Sequence, residues 1–426
     1  MLISKIRNAF KRDLFKVFSL NAGATLVRML TGFISVKIVA VIIGPSGVAL
    51  LGQLNNFTST FLTCSTGGIN GGVTRYVAEY SGSQQKVNVY LRTAFTITLI
   101  LSLFCGAILT FGSRYFSNLI LGNPGYQSII VVFGLLILLY ALNSLLISVL
   151  NGYKQFRIYV RVNIVGNILG LLVSIALAYF AGVYGALLAA VTYQSVVFLA
   201  TVFLCAHCHW FKIKYFLGKF DGGAGKQLAQ YSLMALISAA TVPVGQLVIR
   251  GYIAEHVALV DAGIWEGMNR ISGIYLMVIT TSLAVYYLPR LSELHGPEAI
   301  SKEIRSVYKL IIPILLLGSF VIYVSRRLIV HVLFSKDFSS MEHLFAFQLT
   351  GDFLKIVSWV LAYQMVAKSM TKLFVVTEIG FNFLLVVLSI LFIREYGNVG
   401  ATIAYAVNYL LYLIFMVGYF KKLLFK

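Results

Sequence analysis

Ionisable and amide side chains recur at helical spacing inside stretches that are otherwise apolar, and their types suit the handling of a charged solute. Glu266 stands four residues before Arg270, the order that favours an intrahelical ion pair. Gln348, Asp352, Lys355 and Trp359 follow one another at spacings of four, three and four, which places them on one face of a helix. Asn21, Thr25, Arg28 and Ser35 form a similar stripe with Arg28 about half-way along its apolar run, and Gln53, Asn56, Thr60 and Thr63 form another. An ionised group at the centre of a bilayer costs about 2.5–3.5 kcal/mol on insertion scales, so such groups face a partner or a water-filled cavity. The stripes together are net positive, which suits a diphosphate held through Arg and Lys. Arg28, Arg270, Lys355, Asn56, Gln53 and Trp359 form the candidate substrate-binding set. Asp352 and Glu266 are the candidate ion-coupling acids, with Asp352 taking up and releasing a proton. The plainer reading makes Glu266–Arg270 and Asp352–Lys355 local pairs that only hold helices together, an expensive route to stability. Lys37 reads as snorkelling to the interface. Glu378 and the Arg75–Glu79 neighbours read as interface residues.

The elements that must position these residues are set by hydropathy. Of 426 residues, 59% are hydrophobic and 11% charged, far more apolar than a soluble domain. Twelve runs are long enough to cross a hydrocarbon core: 14–41, 47–70, 90–112, 126–150, 158–180, 184–206, 228–253, 262–288, 306–329, 343–367, 372–393 and 398–420. The net charge of +20 would suggest nucleic acid in a soluble protein, but its placement excludes that. With the N-terminus in the cytoplasm, 24 of the 34 Lys and Arg fall inside, six fall outside (Arg114, Arg250, Arg326, Arg327, Lys336 and Arg394) and four lie within helices, the bias of a correct topology. Both termini are therefore expected in the cytoplasm. The basic first sixteen residues lead into a full span with no small-residue cleavage site.

The connection Phe211–Gln227 is rich in Gly and Lys and reads as a linker, giving lobes at 1–211 and 228–426 with a cytoplasmic linker at 212–227. Across it the sequence partly repeats at an offset of 215: Gly182, Gly185, Ala186 and Ala189 correspond to Gly397, Gly400, Ala401 and Ala404. Six helices per half return the chain to its starting side, so the halves are parallel repeats, and transporters of that build place substrate between them. Asp221-Gly-Gly-Ala-Gly-Lys226 lacks both the leading Gly and the Ser or Thr of a triphosphate loop, so no nucleotide is expected. Cys205, His207, Cys208 and His209 lie within five residues rather than in two separated pairs, so no metal is expected. The four cysteines imply no disulfide framework, and no cofactor is called for.

Several stretches carry a resemblance to a known family: GGINGGVTRYVAEY from Gly67, SLMALISAATVPV from Ser232, AGIWEGMNRIS from Ala262, YYLPRLSEL from Tyr286 and LFAFQLTGDFLKIVSWVLAYQMVAK from Leu344. They resemble the Wzx flippases of lipid-linked O-antigen and enterobacterial common antigen units, within the multidrug/oligosaccharidyl-lipid/polysaccharide exporter superfamily, and more the common-antigen type. The resemblance implies an all-α polytopic membrane protein of twelve helices in two six-helix lobes around a cavity. It implies an undecaprenyl-diphosphate-linked glycan moved from the cytoplasmic to the periplasmic leaflet of the bacterial inner membrane, driven by an ion gradient. Membrane lipids, and the polymerase and chain-length regulator of the same pathway, would be partners. Two other readings stay open. A drug or cation antiporter of the same superfamily would line its cavity with acids and aromatics, and a membrane glycan polymerase would need a large outer loop, whereas Arg326–Glu342 is short.

Overall fold

A computed structural model describes residues 2–283, 287, 290–291, 294, 296–368 and 370–424. The side chains of Asn21 and Thr25 and much of the stretch 286–294 lie outside the described residues. The chain forms α1 (Leu2–Thr66), α2 (Asn70–Glu79), α3 (Gln84–Phe111), α4 (Ser113–Leu121), α5 (Gln127–Gly152), α6 (Phe156–Cys205), α7 (Ile213–Phe216) and α8 (Gly222–His256). After these come α9 (Leu259–Ser282), α10 (Pro297–Val324), α11 (Arg326–Leu333), α12 (Phe345–Ala367), α13 (Thr371–Tyr396), α14 (Asn398–Tyr419) and α15 (Lys421–Leu424).

The all-α polytopic fold expected from hydropathy is the fold observed, with no strand among the described residues. Nine described helices are long and apolar enough to cross a membrane. Two of these are broken, α1 at Gly44 before Pro45 and α6 at Ala181–Gly182, so each carries two of the expected runs. With α9, where the eighth run lies, nine plus two plus one accommodates the twelve. Leu317, Phe320 and Val324 on α10 and Phe180, Leu199 and Phe203 on α6 are exposed, as side chains solvated by lipid tails should be.

The repeat seen in sequence has a backbone counterpart. Gly182 (φ 54°, ψ −133°) and Gly397 (φ 58°, ψ −141°) adopt the same positive-φ conformation at helix junctions, one that a side chain would strain.

Two compact units divide the chain differently from the expected lobes: the first comprises residues 1–35 and 57–239, the second 36–56 and 240–426. The middle of α1 joins the second unit because Ala49 packs into a core with Ile249, Ile253, Ala262 and Trp265. In the first unit Val73, Val77, Leu91, Val149 and Leu150 form the core. The expected linker 212–227 belongs to that unit instead of tethering two lobes, with Phe216 and Leu228 buried in its core and the Asp221 N–H donating to Thr93 Oγ1 at 3.3 Å. Asp221 Oδ1 accepts the Ala224 N–H at 2.7 Å, so the glycine-rich run is the capped start of α8. The Cys/His run resolves as packing: Trp210 is fully buried and Gln155 Oε1 accepts from its Nε1 at 3.1 Å and from Cys208 Sγ at 3.3 Å. Burial pushes the Cys208 thiol above its ordinary range, which favours the inert neutral form. The core of the second unit is built by Ile356, Val360, Leu361 and Met365 of α12 against Tyr412 and Met416 of α14.

Candidate functional site

Seven of the eight candidate residues gather with unforeseen partners into two ionisable networks of the second unit. The first centres on Glu266 of α9. Arg270, one turn on, donates from Nε to Glu266 Oε1 at 3.0 Å, the intrahelical pair that the spacing suggests. The other oxygen, Oε2, is taken by Arg250 of α8, which is 1% exposed and stacks over the Trp265 ring with Cζ 5.6 Å from its centroid. Arg250 is thus no outer-loop residue, contrary to its place in the charge tally; it lies in an apolar helix because a carboxylate on the next helix neutralises it. Asn56 turns its amide oxygen to Arg250, 3.2 Å from both Nη atoms. Gln53 belongs to the same segment of α1, and its buried Oε1 has no partner among the described residues. Gly52 leaves the room Glu266 needs, since a Cβ there would come 2.8 Å from its Cγ. Two guanidiniums against one carboxylate leave the cluster at +1. Arg270 Nη2 is buried without a partner among the described residues, so that donor is held in place and unspent.

The second network surrounds Asp352 of α12, fully buried. The pairing with Lys355 expected from spacing is corrected here: no ion pair within 4.0 Å joins them among the described residues. Asp352 instead accepts neutral donors from neighbouring helices, Ser272 Oγ at 2.7 Å and the Tyr275 hydroxyl on Oδ2, and the Tyr405 hydroxyl at 2.8 Å on Oδ1. Gln348 Nε2, one turn back, lies 3.5 Å from Oδ1. Residues three apart in a helix share a face, but each side chain reaches its own partners, and those partners lie on α9 and α14. Lys355 turns to aromatic faces, with Nζ 4.9 Å from the Trp359 centroid, 5.6 Å from Tyr409 and 5.8 Å from Tyr405. Such an arrangement holds a cation by ring quadrupoles.

The remaining candidate, Arg28, and the residues read as interface groups lie elsewhere. Arg28 is an exposed side chain of the first unit with no ion pair among the described residues. Lys37 does not snorkel; its Nζ donates to the Phe334 carbonyl at 3.3 Å, just past the end of α11. Arg75 and Glu79 form a loose, exposed pair at 3.9 Å. Sequence reasoning missed Arg250, Ser272, Tyr275 and Tyr405. For Arg250 a signal existed, a cation inside an apolar run, whereas three hydroxyls on two other helices leave no local trace.

Solved structures share the fold. Over 94% of this chain the fold is similar to an inward-facing multidrug resistance MATE family transporter of the MOP superfamily (98% of that chain, TM-score 0.78, 12% identity). It is also similar over 94% to the Lipid II flippase MurJ in an inward closed conformation (87% of that chain, TM-score 0.73, 14% identity). The fold is that of these polytopic membrane transporters. Across 399 residues the chain is 29% identical to the Lipid III flippase of Escherichia coli (strain K12), covering 94% of this chain and 96% of that protein, and the same values hold for the Lipid III flippase of Shigella flexneri. Residues 14–295 match the family described as polysaccharide biosynthesis protein, and the chain belongs to that family.

Proposed function

We propose that the protein is an inner-membrane flippase, a transporter and not a catalyst, that moves an undecaprenyl-diphosphate-linked oligosaccharide of the O-antigen or common-antigen type from the cytoplasmic to the periplasmic leaflet. The observation that carries this reading is the end-to-end likeness to the Lipid III flippases, 94% of this chain against 96% of theirs. The first network supports it, because Arg270 offers a fixed, unspent guanidinium donor beside a cluster of net charge +1. Gln53, in the same unit, offers an amide to the diphosphate, and Arg28 is an exposed cation of the first unit for the substrate to meet. Both termini are cytoplasmic in this reading. Moving Arg250 into the membrane leaves five outer basic residues (six less one) against 24, a stronger bias than before.

Alternating access would be driven by an ion gradient, with Asp352 as the coupling group. Hydroxyls can donate to a carboxylate or accept from a carboxylic acid, so the Ser272, Tyr275 and Tyr405 shell can serve both protonation states. The antiporter reading gains nothing from the fold, and the aromatic cage of this unit is already filled by Lys355. The test is purified protein in vesicles carrying a lipid-linked oligosaccharide, with the outer leaflet read by a membrane-impermeant glycan-oxidising reagent. Glycan should move between leaflets without ATP and faster with an imposed ion gradient; vesicles with protein that match protein-free ones would refute the reading.

A further inference from the structure

The run Asp221–Lys226 is no triphosphate loop, yet it borders a cavity of about 320 Å³ in the first unit, lined by Tyr80, Lys86, Val89, Tyr90, Asp221 and Gln227 among others. One wall is a stack of rings: Tyr76 to Tyr90 at 4.7 Å and Tyr90 to Tyr80 at 5.5 Å, with planes within 12°. Lys86 Nζ stands 5.3 Å over Tyr80 and Arg75 Cζ 5.8 Å over Tyr76. Opposite stand polar groups with capacity to spare. The Tyr90 hydroxyl donates to Gln227 Oε1, which leaves the Gln227 Nε2 donors unengaged among the described residues. Asp221 spends Oδ1 on the cap of α8, and its second oxygen is likewise unengaged among the described residues.

These features discriminate between ligand classes. A phosphate would meet the Asp221 carboxylate at a helix start already capped, and a cation would meet Lys86. A flat base has no slot between rings that already touch, and a hydrocarbon would strand Gln227 and Asp221 without partners. A pyranose satisfies all of them, since its C–H face lies against an aromatic wall and its hydroxyls accept from Gln227 and Lys86 while donating to Asp221. We infer that this cavity is a sugar-binding subsite that holds one ring of the substrate's glycan on the cytoplasmic side before transport. The inference rests on the flippase reading and on the cytoplasmic placement of residues 212–227.

Saturation-transfer NMR on the full chain in micelles, with glucose, N-acetylglucosamine and inorganic phosphate as probes, tests the site directly. Ring-proton signals from at least one sugar should appear, vanish in Tyr80→Ala and in Gln227→Leu, and weaken in Lys86→Ala, an exposed position where substitution threatens no packing. In vesicles Lys86→Ala and Gln227→Leu should raise the KM for lipid-linked glycan about five- to tenfold at unchanged kcat, the loss of one or two hydrogen bonds. Wild-type protein that moves glycan but gives no sugar signal overturns the subsite and leaves the flippase standing. So does a signal that survives all three changes, or one that phosphate displaces. Wild-type protein that binds sugar yet moves no glycan sinks the transport reading instead.

Discussion

Arg250→Met tests the first network most sharply, because it removes a charge while keeping the length of an aliphatic side chain. Arg250 is 1% exposed and holds Glu266 Oε2, so the change leaves that carboxylate to Arg270 alone, 3.0 Å away on a side chain 19% exposed. Removing one member of a buried pair costs about 3–5 kcal/mol, and the surviving charged hydrogen bond places the loss at the lower end, about 3 kcal/mol. The charge of the cluster falls from +1 to zero, which weakens its pull on a diphosphate. Adding Glu266→Leu returns the cluster to +1, now on Arg270 alone, and removes the stranded carboxylate. Denaturant unfolding in mixed micelles should show the single variant about 3 kcal/mol less stable and the double variant recovering most of that loss. In vesicles the single variant should lose transport and the double variant regain part of it. A single variant within about 1 kcal/mol of wild type would show that Arg270 suffices for Glu266. A double variant no more stable than the single would show that the shape of the Arg250 side chain, and not charge pairing, holds this region together.

Three further outcomes are expected. Arg28→Ala and Arg270→Ala should each abolish glycan transport while the protein remains in the membrane at normal levels, and Lys at either position should restore part of it, since charge survives and bidentate geometry does not; normal glycan display with either Ala variant would reduce that residue to a structural one. Asp352→Asn should fold, because its amide oxygen still accepts the Ser272 and Tyr275 hydroxyls while its Nδ2 donates to the Tyr405 oxygen, but should lose stimulation by an imposed pH gradient; an unchanged response in this variant or in Asp352→Asn with Lys355→Gln would remove Asp352 from coupling. In a Cys-free variant, single cysteines at Ser46 and Ser335 should label from the periplasm and one at Gly223 should not; labelling of Gly223 from outside would overturn the topology.

The helices were legible because length and hydropathy alone decide a membrane span, and the junction glycines because a positive φ leaves a residue-type signature at Gly182 and Gly397. The Glu266–Arg270 pair was legible because its geometry is local to one helix. Unit boundaries were not, because the packing of Ala49 against Trp265 joins segments more than two hundred residues apart. Arg250 escaped because it sits three residues inside the expected end of its run, where a helix boundary shifted by a turn converts a buried cation into a loop one. Asp352 misled for a deeper reason. Spacing supplied a cation three residues on, and that local answer hid three hydroxyls contributed by α9 and α14.

The two networks solve the burial of charge by different physics, and the difference suits them to different work. Around Glu266, opposite charges meet directly, so protonating the carboxylate would strand two guanidiniums, one of them fully buried. That arrangement resists a change of charge and suits a fixed electrostatic feature that a diphosphate can meet again and again. Around Asp352 no cation is in contact among the described residues; the donors are neutral, and Lys355 is held by rings that need no carboxylate. Hydroxyls can reverse their hydrogen bonds when the acid gains a proton, and the caged ammonium loses no direct partner when that happens. A single unit therefore carries one ionisable cluster whose pairing resists a change of charge and another whose hydroxyl shell tolerates one, and under the proposed flippase function the second is the place for coupling to an ion gradient.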